Sequence, residues 1–405
     1  MDYFKQRTAK HLLFGVVALI CNLAVNTTAL AEDLHPHRGY YMQRNLVTNN
    51  VDKHQSERHW NNTTIEDTNM LNAWGLALRP AGAGGHWWIA NTDSGTVSLY
   101  VGDTIDTPLF QNATALIAVE SAPATPDDPA TPTGQVFNGS PEFPCWGKTI
   151  DGDNPVFAPG KFMVVTEDGN IQCWGETGAS NAERMKSFTI AVEGDEGSVY
   201  KGLAVTQEDS GNFLFAANFA LQRIDVFDGQ FNPVINVAPT FIKPADIPED
   251  YAPFNIQYFE YNGNQSLFVA YAKTTDVPGE EEAGPGLGYL AEFDIHGHNI
   301  RTFEHSNRLN APWGLAITPH GFGPFSNEIV LGNFGDGTLV SFDLNTGEQT
   351  GYLRNELGEA VHIDGLWGLA FGNGESLGQS NYLYFTAGPN DEADGLFGRL
   401  NWKRR

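Results

Sequence analysis

Pro312-Trp313-Gly314-Leu315-Ala316-Ile317 returns as Leu366-Trp367-Gly368-Leu369-Ala370-Phe371, and the reading of this phrase decides the fold. A short apolar run bounded by turn residues predicts a buried β-strand. Earlier copies are Asn72-Ala73-Trp74-Gly75-Leu76-Ala77-Leu78 and Lys201-Gly202-Leu203-Ala204-Val205. Pro253-Phe254-Asn255-Ile256 is a looser copy, and the weakest falls within 135–143. A second phrase follows each: an apolar strand, a polar turn, then an alternating strand that often ends in Phe-Asp. It occupies 87–100, 162–174, 213–228, 267–294, 328–343 and 382–401.

The aligned positions are Trp74, Lys201, Phe254, Trp313 and Trp367, and the first interval is twice the others. The chain therefore holds six units of about 50 to 65 residues. No helical period stands out. Six copies of one short antiparallel sheet predict an all-β fold, a six-bladed β-propeller of four-stranded blades. The last unit ends after its third strand near Asn401. The strand-like segment 40–47 precedes the first unit. It is expected to supply the outermost strand of the last blade and so cover an exposed sheet edge. The Gly-Leu-Ala strand is expected innermost, where space near the axis is least. Two segments break the repeat. Residues 121–133 (SAPATPDDPATPT) read as a disordered excursion, and 276–288 (DVPGEEEAGPGLG) as an acidic loop.

Composition bounds the partners. The chain has 405 residues, 41% hydrophobic and 18% charged, with 44 Gly and 22 Pro, which means a packed core with many turns. Its formal net charge is −26, which argues against nucleic acid and anionic membrane surfaces. Cations, sugars, neutral small molecules and basic proteins stay open. Lys5, Arg7 and Lys10, then an apolar stretch from Leu12 to Val25, then Ala29-Leu30-Ala31, read as a signal peptide over residues 1–31. The expectation is an exported protein, periplasmic or extracellular. It would be monomeric, with no membrane span after cleavage and one domain over residues 32–405. Cys21 leaves with the leader. Cys145 and Cys173 remain, each in a Cys-Trp-Gly triplet, and are either bridged or two buried thiols.

In such a ring, the loops before the innermost strands and the turns between second and third strands share one face. Those loops carry Asn72, Trp74, Asn91, Asp93, Glu167, Asp168, Asn218 and Asn255. They also carry Trp313, Asn333, Asp336, Asp364, Trp367, Asn390, Asp391, Glu392 and Asp394. Carboxylate and amide oxygens around an axis suit Ca²⁺. Trp rings beside amides suit a sugar or another flat ligand, a small molecule or a protein surface. The competing reading is turn chemistry for Asp and Asn, and packing between blades for Trp. Gly374-Glu375-Ser376-Leu377-Gly378 matches a hydrolase pattern but lies between two strands, without the strand-to-helix elbow that pattern needs. Asp151-Gly152-Asp153-Asn154 resembles the start of a calcium loop but lacks its Gly and closing Glu.

With the repeats in view, the chain resembles a family of secreted bacterial β-propeller proteins of unknown function, distantly similar to NHL-repeat proteins. The carrying phrases include Asn72-Ala73-Trp74-Gly75, Tyr251-Ala252-Pro253-Phe254-Asn255-Ile256-Gln257 and Gly332-Asn333-Phe334-Gly335-Asp336-Gly337. Asn212-Phe213-Leu214-Phe215-Ala216-Ala217-Asn218-Phe219, Ile224-Asp225-Val226-Phe227-Asp228-Gly229, Ile363-Asp364-Gly365-Leu366-Trp367-Gly368 and Phe385-Thr386-Ala387-Gly388-Pro389-Asn390-Asp391-Glu392 also carry it. The resemblance brings no catalytic residue. The expected function is a binding module working through an acidic, Trp-lined axial face. The alternative is a Ca-dependent hydrolase or lyase of the lactonase-like propeller type.

Overall fold

A computed structural model describes residues 39–51, 64–112, 115–206, 211–235 and 241–405. The signal-peptide reading over residues 1–31 falls outside the described residues. Six small antiparallel sheets stand around one axis, as the repeat predicts. Blade I runs Ala73–Leu78, Trp87–Asn91, Thr96–Tyr100 and Leu116–Ala118 from the axis outward. Blade II orders Pro132–Phe137, Pro155–Thr166, Asn170–Gly175 and Thr189–Glu193 the same way. Blade III has Tyr200–Val205, Leu214–Asn218 and Arg223–Phe227, extended by a bridge between Phe227 and Pro233. Blade IV has Tyr251–Tyr261, Asn264–Thr274, Gly288–Asp294 and Asn299–Thr302. Blade V has Pro312–Ile317, Glu328–Asn333, Leu339–Asp343 and Gln349–Tyr352.

Blade VI closes the ring. Its inner strands are Leu366–Phe371, Leu383–Ala387 and Leu396–Arg404, and its outer strand is Gly39–Thr48 from the other end of the chain. Gly39–Thr48 pairs antiparallel with the last strand, from Gly39 opposite Arg404 to Thr48 opposite Leu396. An edge that would otherwise present unpaired N–H and C=O groups is thereby covered.

Small residues hold the ring tight around the axis. A Cβ on Gly75 would strike the Thr133 carbonyl of blade II, and one on Gly134 would lie 2.6 Å from Gly202 Cα in blade III. Gly202 abuts Asn255 of blade IV, Gly314 of blade V abuts the Trp367 carbonyl, and Gly368 abuts the Trp74 carbonyl of blade I. Between blades IV and V the contact is a hydrogen bond, Asn255 Nδ2 to Trp313 O at 2.7 Å. Six neighbours meet in turn, and the circuit returns to its start.

The core lies between blades. Trp88, Phe162, Trp174 and Phe188 fill the space between blades I and II, with Trp88 and Phe162 stacked at 3.9 Å. Phe268, Leu315, Ile329 and Phe342 do the same between IV and V. No described helix is long and apolar enough to cross a membrane.

Two segments differ in detail from the sequence reading. The weakest copy, expected within 135–143, is the strand Pro132–Phe137 and so begins inside the stretch read as an excursion. Proline is tolerated as the first residue of a strand because it need donate no ladder hydrogen bond there. Thr133 Oγ1 then donates to Tyr200 O at 2.8 Å. The acidic insertion 276–288 contributes a short strand, Glu281–Glu282, paired with Lys273 and Thr274.

Candidate functional site

One irregularity repeats in every blade. The innermost strand pairs normally at its first residues, then the register with the second strand shifts. The shift falls between Ala73 and Leu76, Pro132 and Gln135, and Tyr200 and Gly202. It recurs between Pro253 and Asn255, Pro312 and Gly314, and Leu366 and Leu369. A bulge leaves a residue out of the ladder and re-aims its side chain. The shift takes in one side chain per blade, Trp74, Thr133, Lys201, Phe254, Trp313 and Trp367, with Gly75, Gly134 and Gly368 beside three of them.

Four of these six fill the axis with aromatic rings. Trp74 stacks on Trp367 with centroids 3.6 Å apart, and Trp313 meets both edge-on at 6.1 and 6.0 Å. Phe334 stacks on the other side of Trp367 at 4.0 Å, and Phe254 lies 5.9 Å from it. Trp367 Nε1 donates to Asn72 Oδ1 at 2.9 Å, and Trp313 Nε1 donates to Lys201 O at 3.2 Å. Trp74, Trp313 and Trp367 are 1%, 5% and 0% exposed. These rings form a plug and leave no open aromatic slot.

Lys201 is the cation in this plug. Its Nζ lies 2.6 Å from Glu167 Oε1, 3.8 Å from Glu281 Oε2 and 5.0 Å from the centre of the Trp74 ring. Glu167 comes from the turn after the second strand of blade II, and Glu281 from the acidic insertion of blade IV. Burial pushes the Glu281 carboxyl above its ordinary range, with Lys201 opposing. Asp168 next to Glu167 is also pushed up by burial, although it accepts 3.0 Å hydrogen bonds from Thr131 N and Thr131 Oγ1.

The other candidates are taken up by their own turns and the loops beside them. Asn91, Asn218 and Asn333 each end a second strand and brace the turn that follows. Asn91 Nδ2 donates to Thr96 Oγ1 at 3.1 Å and Ser98 Oγ at 2.9 Å. Asn218 Nδ2 donates to Ser198 Oγ and Asp225 Oδ2, both at 2.9 Å. Asn333 Nδ2 donates to Arg308 O at 2.7 Å and Thr338 Oγ1 at 3.0 Å. Asp336 accepts from Asn310 and Thr338, and Asp364 accepts from the Asn390 backbone. Asp93 lies in the 3-10 turn Thr92–Ser94, and Asn390 and Asp391 sit at left-handed φ of 62° and 52°. Among the described residues no group of three or more His, Cys, Asp or Glu is placed to hold a metal ion. Lys201, Thr133 and Glu281 are absent from the site candidates read from the sequence. Alignment of the repeats does set Lys201 at the column that is Trp or Phe elsewhere, a signal legible in advance.

Above the plug the end of the ring is acidic. Five of the six blades present an exposed carboxylate there: Asp93, Asp128, Asp195, Glu249, and in blade VI Asp364 with Asp391, while blade V adds half-buried Asp336. Basic groups on this end face acids of their own. Arg223 pairs with Asp195 and Asp225 at 2.5 Å, and Lys273 with Glu282 at 2.7 Å.

Comparison with known proteins follows the same outline. No family profile matches the chain. It is 29% identical over 344 residues to an uncharacterised protein of Acanthamoeba polyphaga mimivirus, covering 84% of this chain and 77% of that one. A second uncharacterised protein of the same virus is 27% identical over 338 residues, covering 82% and 81%. These relatives are viral, so the resemblance stands as one of fold, without the bacterial and NHL-repeat particulars. Among solved structures, an α-L-arabinofuranosidase of Fusarium graminearum is 9% identical with a TM-score of 0.49 over 90% of this chain and 98% of that one. A glucose dehydrogenase is 14% identical, with a TM-score of 0.45 over 82% and 96%. Neither likeness carries an activity across.

Proposed function

We propose that the protein is an exported binding module whose working surface is the acidic end of the propeller, and that it takes a cationic ligand or a basic protein. The observation behind this reading is the exposed carboxylate that five of the six blades place at the same end of the ring, with half-buried Asp336 in blade V. One sign of charge gathered on one face attracts the opposite sign and raises encounter rates. The axial plug holds that rim in place and leaves contact to the loops. Export rests on the basic and apolar N-terminal segments and on a disulfide, Cys145–Cys173, of a kind that persists in oxidising compartments.

The test uses hexalysine and spermine as probes, titrated at several ionic strengths. The expected affinity falls steeply with salt, since exposed charges are screened beyond about 10 Å at 0.1 M. A triple variant, Asp93→Asn, Asp364→Asn and Asp391→Asn, is expected to bind about five- to tenfold more weakly, about 1 kcal/mol in all. A control triple, Asp106→Asn, Glu260→Gln and Glu348→Gln, removes the same charge from the opposite end and is expected to leave affinity unchanged. Equal losses in the two triples would reduce the effect to net charge and end the proposal.

A further inference from the structure

The opposite end of the ring carries a second surface. Between the first and second strands of blade II the chain forms an extra hairpin, Pro144–Lys148 paired with the first half of Pro155–Thr166. Its inner face, Cys145, Val156 and Ala158, is buried against the blade core. Its outer face is a ladder of three cross-strand pairs: Pro144 with Pro159, Trp146 with Phe157, and Lys148 with Pro155. Trp146 is 66% exposed and Phe157 50%, with ring centroids 4.1 Å apart. Trp146 is the one exposed Trp among the described residues. The ribbon is held rigid. The disulfide joins Cys145 to Cys173 on the third strand of the blade, and Thr189 Oγ1 donates to Trp146 O at 2.7 Å. Thr149 Oγ1 donates to Asp151 O at 2.6 Å, and Lys186 pairs with Asp153 at the tip.

We infer that this face is a carbohydrate-stacking platform, which takes sugar rings of a neutral polysaccharide on Trp146 and Phe157. Aromatic faces carry the negative part of the ring quadrupole, and the C–H groups on one side of a sugar ring offer the complementary positive surface. Size separates this occupant from a protein. Two part-exposed rings offer about 200 to 300 Å², against about 800 Å² per partner in a standard protein interface. The stripe is about 14 Å long at strand rise, with its two rings inclined 41° to one another. Such a stripe admits a chain polymer passing over it. A lipid surface fits poorly, because the acidic tip Asp151-Gly152-Asp153-Asn154 would meet it before the rings do. Lys148 stands at one end of the stripe as a donor for hydroxyls. This inference is independent of the acidic end and does not need it.

The experiment is native electrophoresis of the full chain in gels containing a soluble β-glucan, a galactomannan or a xylan. Retardation by at least one of these is expected. Trp146→Ala is expected to weaken it about tenfold, and Trp146→Phe to keep most of it. The triple variant of the acidic end is expected to be retarded like the native protein. In the retarding polysaccharide, acrylamide quenching of Trp fluorescence should fall, and this loss of access should vanish in Trp146→Ala. Because the side chain is exposed, the melting temperature of Trp146→Ala should match the native one, which separates lost binding from lost folding. No retardation of the native protein by any of the three polymers would overturn the inference, as would equal retardation of the Trp146→Ala, Phe157→Ala double variant. Trp146-dependent flotation with phosphatidylcholine vesicles, or a Trp146-dependent dimer in sedimentation, would reassign the face to lipid or to a second copy.

Discussion

At the scale of single residues, position within the repeat says more than residue type. Lys201 occupies the column held by Trp74, Phe254, Trp313 and Trp367, and burial there demands a counter-charge. Glu167 supplies it at 2.6 Å. Replacing Lys201 by Met keeps the volume but strands a buried carboxylate, so Lys201→Met should cost about 3–5 kcal/mol. Combining it with Glu167→Leu should recover most of that loss, because well-packed apolar groups of similar volume often serve as well as a buried pair. Urea denaturation of the three variants measures both steps, and a neutral single variant would remove the ion pair from the account. The Asn and Asp candidates teach the converse. Their residue types were legible as loop oxygens, but so was their use in turns. The hydrogen bonds of Asn91, Asn218 and Asn333 commit them to bracing their own turns and the loops beside them. Side-chain oxygens suit an ion and a turn equally well in a linear sequence, and only the partner at 3 Å tells them apart.

At the scale of elements, the strands were readable and their irregularities were not. The innermost strands fall where the phrase places them, apart from the weak copy in blade II. The bulge within them left no mark in composition, because it arises from fitting six twisted sheets around a narrow axis. The hairpin of blade II is a similar case. Its alternation of buried Cys145, Val156 and Ala158 with exposed Trp146 and Phe157 follows the strand period of two. Its packing onto the third strand comes through Cys173. That bridge closes a loop of 28 residues in sequence. Loss of the bridge, as Cys145→Ala with Cys173→Ala, should lower unfolding free energy by about 3–4 kcal/mol on the chain-entropy account. Dithiothreitol should shift the native melt toward that of the double variant and leave the double variant where it is. Unchanged melts in both comparisons would show that the bridge does not stabilise the fold.

At the scale of the whole molecule, stability depends on closing the circle. The strand Gly39–Thr48 and the strand Leu396–Arg404 come from opposite ends of the sequence and meet along their full length. Deleting residues 39–48 should expose the edge of blade VI, broaden the thermal transition and promote self-association through the free edge. Size-exclusion chromatography and calorimetry of the truncated chain check this, and a sharp, monomeric, native-like transition would contradict it. The number of blades, the closing strand and the acidic character were all present in the linear sequence. Repetition, strand period and net charge are properties of order and composition, and they survive without coordinates. Which side chains meet on the axis, that Trp74, Trp313 and Trp367 plug it, and that Lys201 finds Glu167 and Glu281 there were settled by tertiary structure. Those contacts join residues from different blades, and their geometry depends on how the six sheets tilt and press together around a common centre.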